Sequence, residues 1–205
     1  MEPDNEFLCK YIREKGGVIT PGELKELKEP EENRLQRLSL YMLKLSGTLN
    51  KDTHGNYYLH GEKPDQYRLI QKRSDKLIFS YETGAYLLGL INEEPPLINI
   101  TVPQGKNISG IRKDYDNAVF HYCKKDLWDC GIISTDSPKG YKIRVYNPER
   151  CVCEIIKNKD KTDKSLYNKI IKAYFGKMLD PEKILEYSKV FNVETSVRDY
   201  LELLQ

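Results

Sequence analysis

TPGELKELKEPEENRLQRLSLYMLKLSGTLNKDTHGNYYL, residues Thr20 to Leu59, is the stretch whose reading decides the fold. Thr20-Pro21-Gly22-Glu23 has the form of a capping box. The Thr20 hydroxyl can accept from the backbone of Glu23, Glu23 can reach back to Thr20, and Pro21 suits the first helical position. Glu29-Pro30 is expected to stop that helix. Leu35, Leu38, Met42 and Leu45 then recur at spacings of three and four, which predicts a second helix with those residues inward and Leu40 and Leu43 widening the buried side. Arg34, Arg37, Tyr41 and Lys44 repeat the spacing one position earlier, so they form a stripe beside the core. Gly47 fits a C-cap. Thr48 to Lys51 and Tyr57 to Leu59 read as two short strands around the turn-rich Asp52-Thr53-His54-Gly55-Asn56.

Working outward, Asp4 can cap a first helix with Leu8, Tyr11 and Ile12 inward, ended by Gly16-Gly17. Val18-Ile19 is β-like. Gly61 to Gln66, with Pro64, reads as a linker. Beyond it a helix is expected over Ser80–Leu90 and strands near 97–102, 108–113, 119–122, 132–134 and 141–145. Asn147-Pro148-Glu149 starts a helix by capping, first-turn proline and dipole preference. Three more helices follow, one with Leu166, Ile170 and Ala173 inward, one from Asp180-Pro181 burying Ile184, Leu185 and Phe191, and one burying Val197, Tyr200, Leu201 and Leu204. The expected fold class is α+β, with a winged helix-turn-helix domain over 1–65 and a mixed α/β domain over 75–205 that ends in a helical segment.

Helix, turn, helix and hairpin in that order place a polar helix face and a wing where a DNA groove can receive them. The candidate DNA-binding residues are Thr20, Arg34, Arg37, Tyr41, Lys44, Lys51 and His54. Net charge argues neither way. The 205 residues carry +2 overall, and residues 1–62 hold nine Lys/Arg against eleven Asp/Glu. Phosphate contact supplies much of DNA affinity, so local placement has to do what net charge does not. The acidic balance leaves open a second reading, a winged helix that docks a partner protein. Lys124, Lys125, Lys139, Lys142, Arg144 and Arg150 make the second part locally basic, which reads as ordinary charged surface.

Other classes find little support. No GxxxxGK[ST] or GxSxG occurs. His121 and Cys123 share a strand face only by sequence proximity, so the chain reads as no enzyme, with no catalytic residues and no cofactor. The five cysteines are Cys9, Cys123, Cys130, Cys151 and Cys153. Cys151-Val152-Cys153 lacks the spacing of a zinc knuckle, and no metal site is expected. The longest apolar run, Ala85 to Ile91, is far shorter than the roughly 20 residues of a membrane span. Met1 is followed by acidic residues where a secretory leader would be basic and apolar. The expected location is cytoplasmic.

Several stretches resemble the AbiEi-type antitoxins of type IV toxin–antitoxin systems. Ser80 to Leu90 is similar to that family's SHESALYLHGL, with Tyr81 and Leu88 where the family has His. Ile100-Thr101-Val102-Pro103-Gln104-Gly105 is similar to its strand end. Tyr146-Asn147-Pro148-Glu149-Arg150-Cys151-Val152-Cys153-Glu154 is similar to its helix start, with Cys151 for Thr and Glu154 for Asp. Leu185-Glu186-Tyr187-Ser188 and Val197 to Leu204 resemble its C-terminal helices. The family's wing ends in Arg-Gly-Val-Tyr, where this chain has His54-Gly55-Asn56-Tyr57-Tyr58. The resemblance implies a protein that binds inverted repeats in its own promoter (double-stranded DNA) as a repressor. It also implies action against a nucleotidyltransferase-like toxin without a stable complex.

Overall fold

The computed structural model describes residues 3–26, 40–52, 55–177 and 180–203. The chain is α+β and divides into two compact units. One contains residues 1–69 with 137–141, and the other 70–136 with 142–205. Among the described residues no helix is long and apolar enough to cross a membrane.

In the first unit α1 (Pro3–Glu14) leads to β1 (Val18–Ile19), α2 (Pro21–Glu26), a helical segment at 40–45 (α3), β2 (Leu49–Lys51) and β3 (Tyr57–Leu59). The strands form an antiparallel sheet in the order β1-β3-β2, with Val18 opposite Tyr58 and Leu49 opposite Leu59. Leu8, Ile12, Ile19, Leu40, Leu43, Leu49 and Leu59 make its core. Gly16 and Gly17 end α1 in the left-handed region (φ 76° and 77°), as expected of a glycine stop. A Cβ on Gly16 would overlap the Tyr141 ring. The Tyr141 hydroxyl donates to the Glu14 carbonyl at 2.7 Å. The Arg68 guanidinium lies 4.3 Å from the centroid of the same ring, and the Ser137 hydroxyl donates to Asp65.

The inward face of α3 differs from the expected one. Leu40 and Leu43 are buried, but Met42 and Leu45 are 51% and 65% exposed. Leu35 and Leu38 lie outside the described residues. Apolar side chains occur on more than one side of this helix. The surface it meets, formed by Leu8, Ile12, Leu49 and Leu59, selects the 40/43 side.

In the second unit a five-stranded mixed sheet has the order β6-β5-β4-β8-β7. These are β4 (Ile78–Phe79), β5 (Ile98–Pro103), β6 (Ala118–Cys123), β7 (Ile132–Asp136) and β8 (Lys142–Tyr146). β4 runs parallel to β8 and antiparallel to β5, and β5 runs parallel to β6. The short central β4 has no counterpart among the strands that the sequence predicts. Its neighbourhood, Leu77-Ile78-Phe79, is a fully buried apolar run with no alternation to reveal it. The strand expected near 108–113 is instead a helix, α6 (Ser109–Asp114). Its buried residues Ile108 and Ile111 are three apart, the helical interval, and Asn107 accepts from the Ser109 amide at 2.9 Å. Two further helices not foreseen are α4 (Gln66–Lys72), within which the division between units falls, and α7 (Lys125–Asp129).

The helical layer of this unit comprises α5 (Tyr81–Leu87), α8 (Pro148–Lys157), α9 (Lys164–Lys177), α10 (Pro181–Phe191) and α11 (Glu194–Glu202). At the start of α8, Asn147 caps as expected, accepting from the Arg150 amide at 2.9 Å. α8 is buried almost all round. A Cβ on Gly84 of α5 would strike Cys151 Sγ, so glycine there permits the close approach of the two helices. Inside this layer lies an ion pair, Arg150 Nε to Glu154 Oε1 at 3.0 Å, with both side chains at most 3% exposed. The Arg150 guanidinium also donates to the carbonyls of Leu127 and Cys130 and stacks on the Tyr146 ring 3.2 Å from its centroid.

Candidate nucleic-acid interface

The capping box forms as its residue types require. The Thr20 amide and hydroxyl donate to Glu23 Oε2 at 3.0 and 2.9 Å, and the Glu23 amide donates to Thr20 Oγ1 at 3.3 Å. The other Glu23 oxygen accepts from the Arg68 guanidinium in a pair whose side chains are 3% and 5% exposed. Arg68 also donates to the Val18 carbonyl at 2.8 Å. Thr20 therefore orients the start of α2, with its hydroxyl committed to Glu23. Replacing Thr20 with alanine is expected to lower stability by about 1 kcal/mol, the usual loss on removing a cap, read as a lower urea midpoint at unchanged slope.

Tyr41 is 59% exposed, and Lys44 and Lys51 are exposed as well. Tyr41 and Lys44, three apart, share one side of α3, away from Leu40 and Leu43. In the hairpin, Asp52 accepts from the Asn56 amide at 2.9 Å and from its side-chain amide at 2.7 Å, which fixes the turn. Lys51 Nζ stands 5.2 Å from the centre of the Tyr57 ring. The hairpin turn sits beside the start of α2, since a Cβ on Gly55 would contact Pro21 and the Lys51 side chain. The structure thus brings the Thr20-Pro21 cap and Lys51 to one place. Arg34, Arg37 and His54 lie outside the described residues.

Three of the basic residues of the second unit are committed to the protein itself. Arg150 is fully buried. Lys142 pairs with Asp136 at 2.8 Å, and Arg144 donates to the Asp75 carbonyl. Among the described residues no hydrogen bond joins His121 to Cys123. His121 Nε2 instead meets Asn99 Oδ1 at 2.8 Å, and its ring stacks on Tyr81 with centroids 4.0 Å apart. Burial holds the His121 pKa down, to about 4, and the same effect raises the Cys123 thiol. The cysteines are free thiols, and those of Cys151 and Cys153 are buried and pushed up by desolvation. Among the described residues no group of three or more His, Cys, Asp or Glu is placed to hold a metal ion.

No family model matches the chain, and no curated protein does. Among solved structures it is similar to the crystal structure of the Rv2827c protein from Mycobacterium tuberculosis. The two share 12% identity with a TM-score of 0.51, over 98% of this chain and 82% of that one. At that identity the likeness concerns the fold alone.

Proposed function

We propose that this protein is a DNA-binding autorepressor that also serves as an antitoxin of the AbiEi type. In this reading the first unit is a winged helix: α2 and α3 are the helix-turn-helix and the β2–β3 hairpin is the wing. The observation that carries it is the order α1-β1-α2-α3-β2-β3 with the sheet order β1-β3-β2, which leaves Tyr41 and Lys44 on the outer side of α3. Lys51 serves the wing. The antitoxin half of the reading draws on the sequence resemblance in the second unit, and its functional partner is a nucleotidyltransferase-like toxin acted against without a stable complex.

The test is fluorescence anisotropy of the full chain with the DNA upstream of its own gene, repeated over a series of salt concentrations. Specific binding that weakens steeply with salt is expected. Lys44→Ala and Lys51→Ala should each reduce the magnitude of the log–log salt slope by about 1, the signature of one lost phosphate contact. Absence of specific binding at low salt would overturn the repressor reading.

One observation favours a second reading. Met42 and Leu45 expose apolar surface next to Tyr41, which suits docking of a partner protein. A stable, salt-insensitive complex with the toxin would select it.

A further inference from the structure

The second unit contains a cavity of about 370 Å³ that the proposed function leaves unused. Its volume falls within the roughly 300–1,000 Å³ of small-molecule sites. Pro95, Pro96, Leu97, Val119 and Leu166 give it apolar walls. Tyr81 and His121, stacked on each other at 27°, give it an aromatic wall. Tyr81 holds a backbone φ of 50°, a left-handed conformation that bulky L-residues rarely adopt. Such outliers concentrate at binding sites.

The hydrogen bonds around the cavity fix which atoms can still bond. Glu82 Oε2 accepts from Asn99 Nδ2 at 2.9 Å, so Asn99 turns its Oδ1 toward His121 Nε2, which must be the protonated nitrogen. Buried and close to Lys161, the His121 ring stays neutral, so its Nδ1 carries a bare lone pair. Among the described residues no donor reaches that atom. Glu82 Oε1 accepts from the Thr162 hydroxyl at 2.7 Å. Each oxygen of this carboxylate therefore takes one bond from a neutral donor and keeps a further lone pair, with no cation within pairing distance among the described residues. Around Glu82 and His121 the unmet capacity is acceptor, and Lys161 is the one cation among the lining residues. Glu82 and Asp163 outweigh Lys161 in the lining, which disfavours an anion.

We propose that this cavity binds a small planar nitrogen heterocycle with adjacent N–H donors on one edge, as on the N1–H and 2-amino edge of guanine, its ring against the aromatic wall of Tyr81 and His121 and its donor edge toward Glu82. The site lies wholly in the second unit and stands whether or not the first unit binds DNA.

The test is calorimetric titration of the full chain with 2-aminobenzimidazole, which presents such an edge, against benzimidazole, which lacks the amino donor. The amino compound should bind at least about tenfold tighter, the difference expected for a hydrogen bond to a charged acceptor. Glu82→Gln should remove most of that preference. Leu97→Trp, a change at a half-exposed wall position, should block both compounds while the thermal unfolding midpoint holds. In a histidine-ring NMR spectrum the His121 signal, assigned with a His121→Gln variant, should shift on binding. Equal affinity for the two compounds, no binding at millimolar concentration, or full binding by Leu97→Trp would overturn the proposal. Should Glu82→Gln fail to fold, the comparison of compounds and Leu97→Trp decide it alone.

Discussion

Replacing Arg150 with alanine is expected to destabilise the protein by about 3–5 kcal/mol, the range seen when one partner of a buried ion pair is removed. The loss has three sources. Glu154 is left as a buried carboxylate without its cation, the carbonyls of Leu127 and Cys130 lose their donor, and the Tyr146 ring loses its stacked neighbour. Lysine should not rescue the variant, because one ammonium cannot reproduce the planar fork that meets a carboxylate and two carbonyls together. A double change, Arg150→Met with Glu154→Leu, should be less damaging than Arg150→Ala, since it strands no charge.

The pH dependence gives a separate check. Burial already raises the Glu154 pKa even with Arg150 beside it. Without Arg150 it rises further, so the folded variant holds a proton that the unfolded chain releases above the ordinary carboxylate range. Stability then falls as pH increases from that range toward the raised folded value. Arg150→Ala should therefore be less impaired at pH 5 than at pH 8. Urea midpoints that fall equally at both would argue that lost packing, not an orphaned charge, is the cause.

The second large effect follows from the proposed repressor function. Alanine at both Arg34 and Arg37 is expected to weaken operator binding by about 1–3 kcal/mol per lost base contact, or roughly 30-fold to 10⁴-fold for the pair. An arginine that reads a guanine edge loses both discrimination and affinity when truncated, whereas one that only touches phosphate loses affinity for all sequences alike. Anisotropy at one fixed salt concentration, with operator and scrambled duplexes side by side, separates the two roles. An operator affinity unchanged in a folded double variant would remove both residues from the interface.

Several helix starts and stops in both units are legible in short local signals. The Thr20–Glu23 capping box, the Gly16-Gly17 stop and the Asn147 cap are each decided by a few adjacent residues whose hydrogen bonds close locally. The buried side of α3 is not legible, because Leu40, Met42, Leu43 and Leu45 offer several apolar sides and only the surface met in the fold chooses among them. The partners of His121 were hidden for a similar reason. Asn99 lies 22 residues away, and Glu82 meets Thr162 across 80 residues. Arg150, read with the surface charges, is instead fully buried and paired with Glu154, four residues on along the helix. The Leu127 and Cys130 carbonyls that the same guanidinium meets lie 23 and 20 residues away, beyond the reach of local pattern.

The make-up of the first unit from two distant stretches has a consequence for how the protein is born. As the chain leaves the ribosome, all the helices and strands of that unit have emerged well before Ser137 and Tyr141 exist. Until then Asp65 has no serine hydroxyl, the Gly16 cleft has no tyrosine ring, and the Glu14 carbonyl has no phenol to cap it. A fragment cut after residue 69 would lack these contacts, and is expected to melt at a lower temperature than the same unit in the full chain.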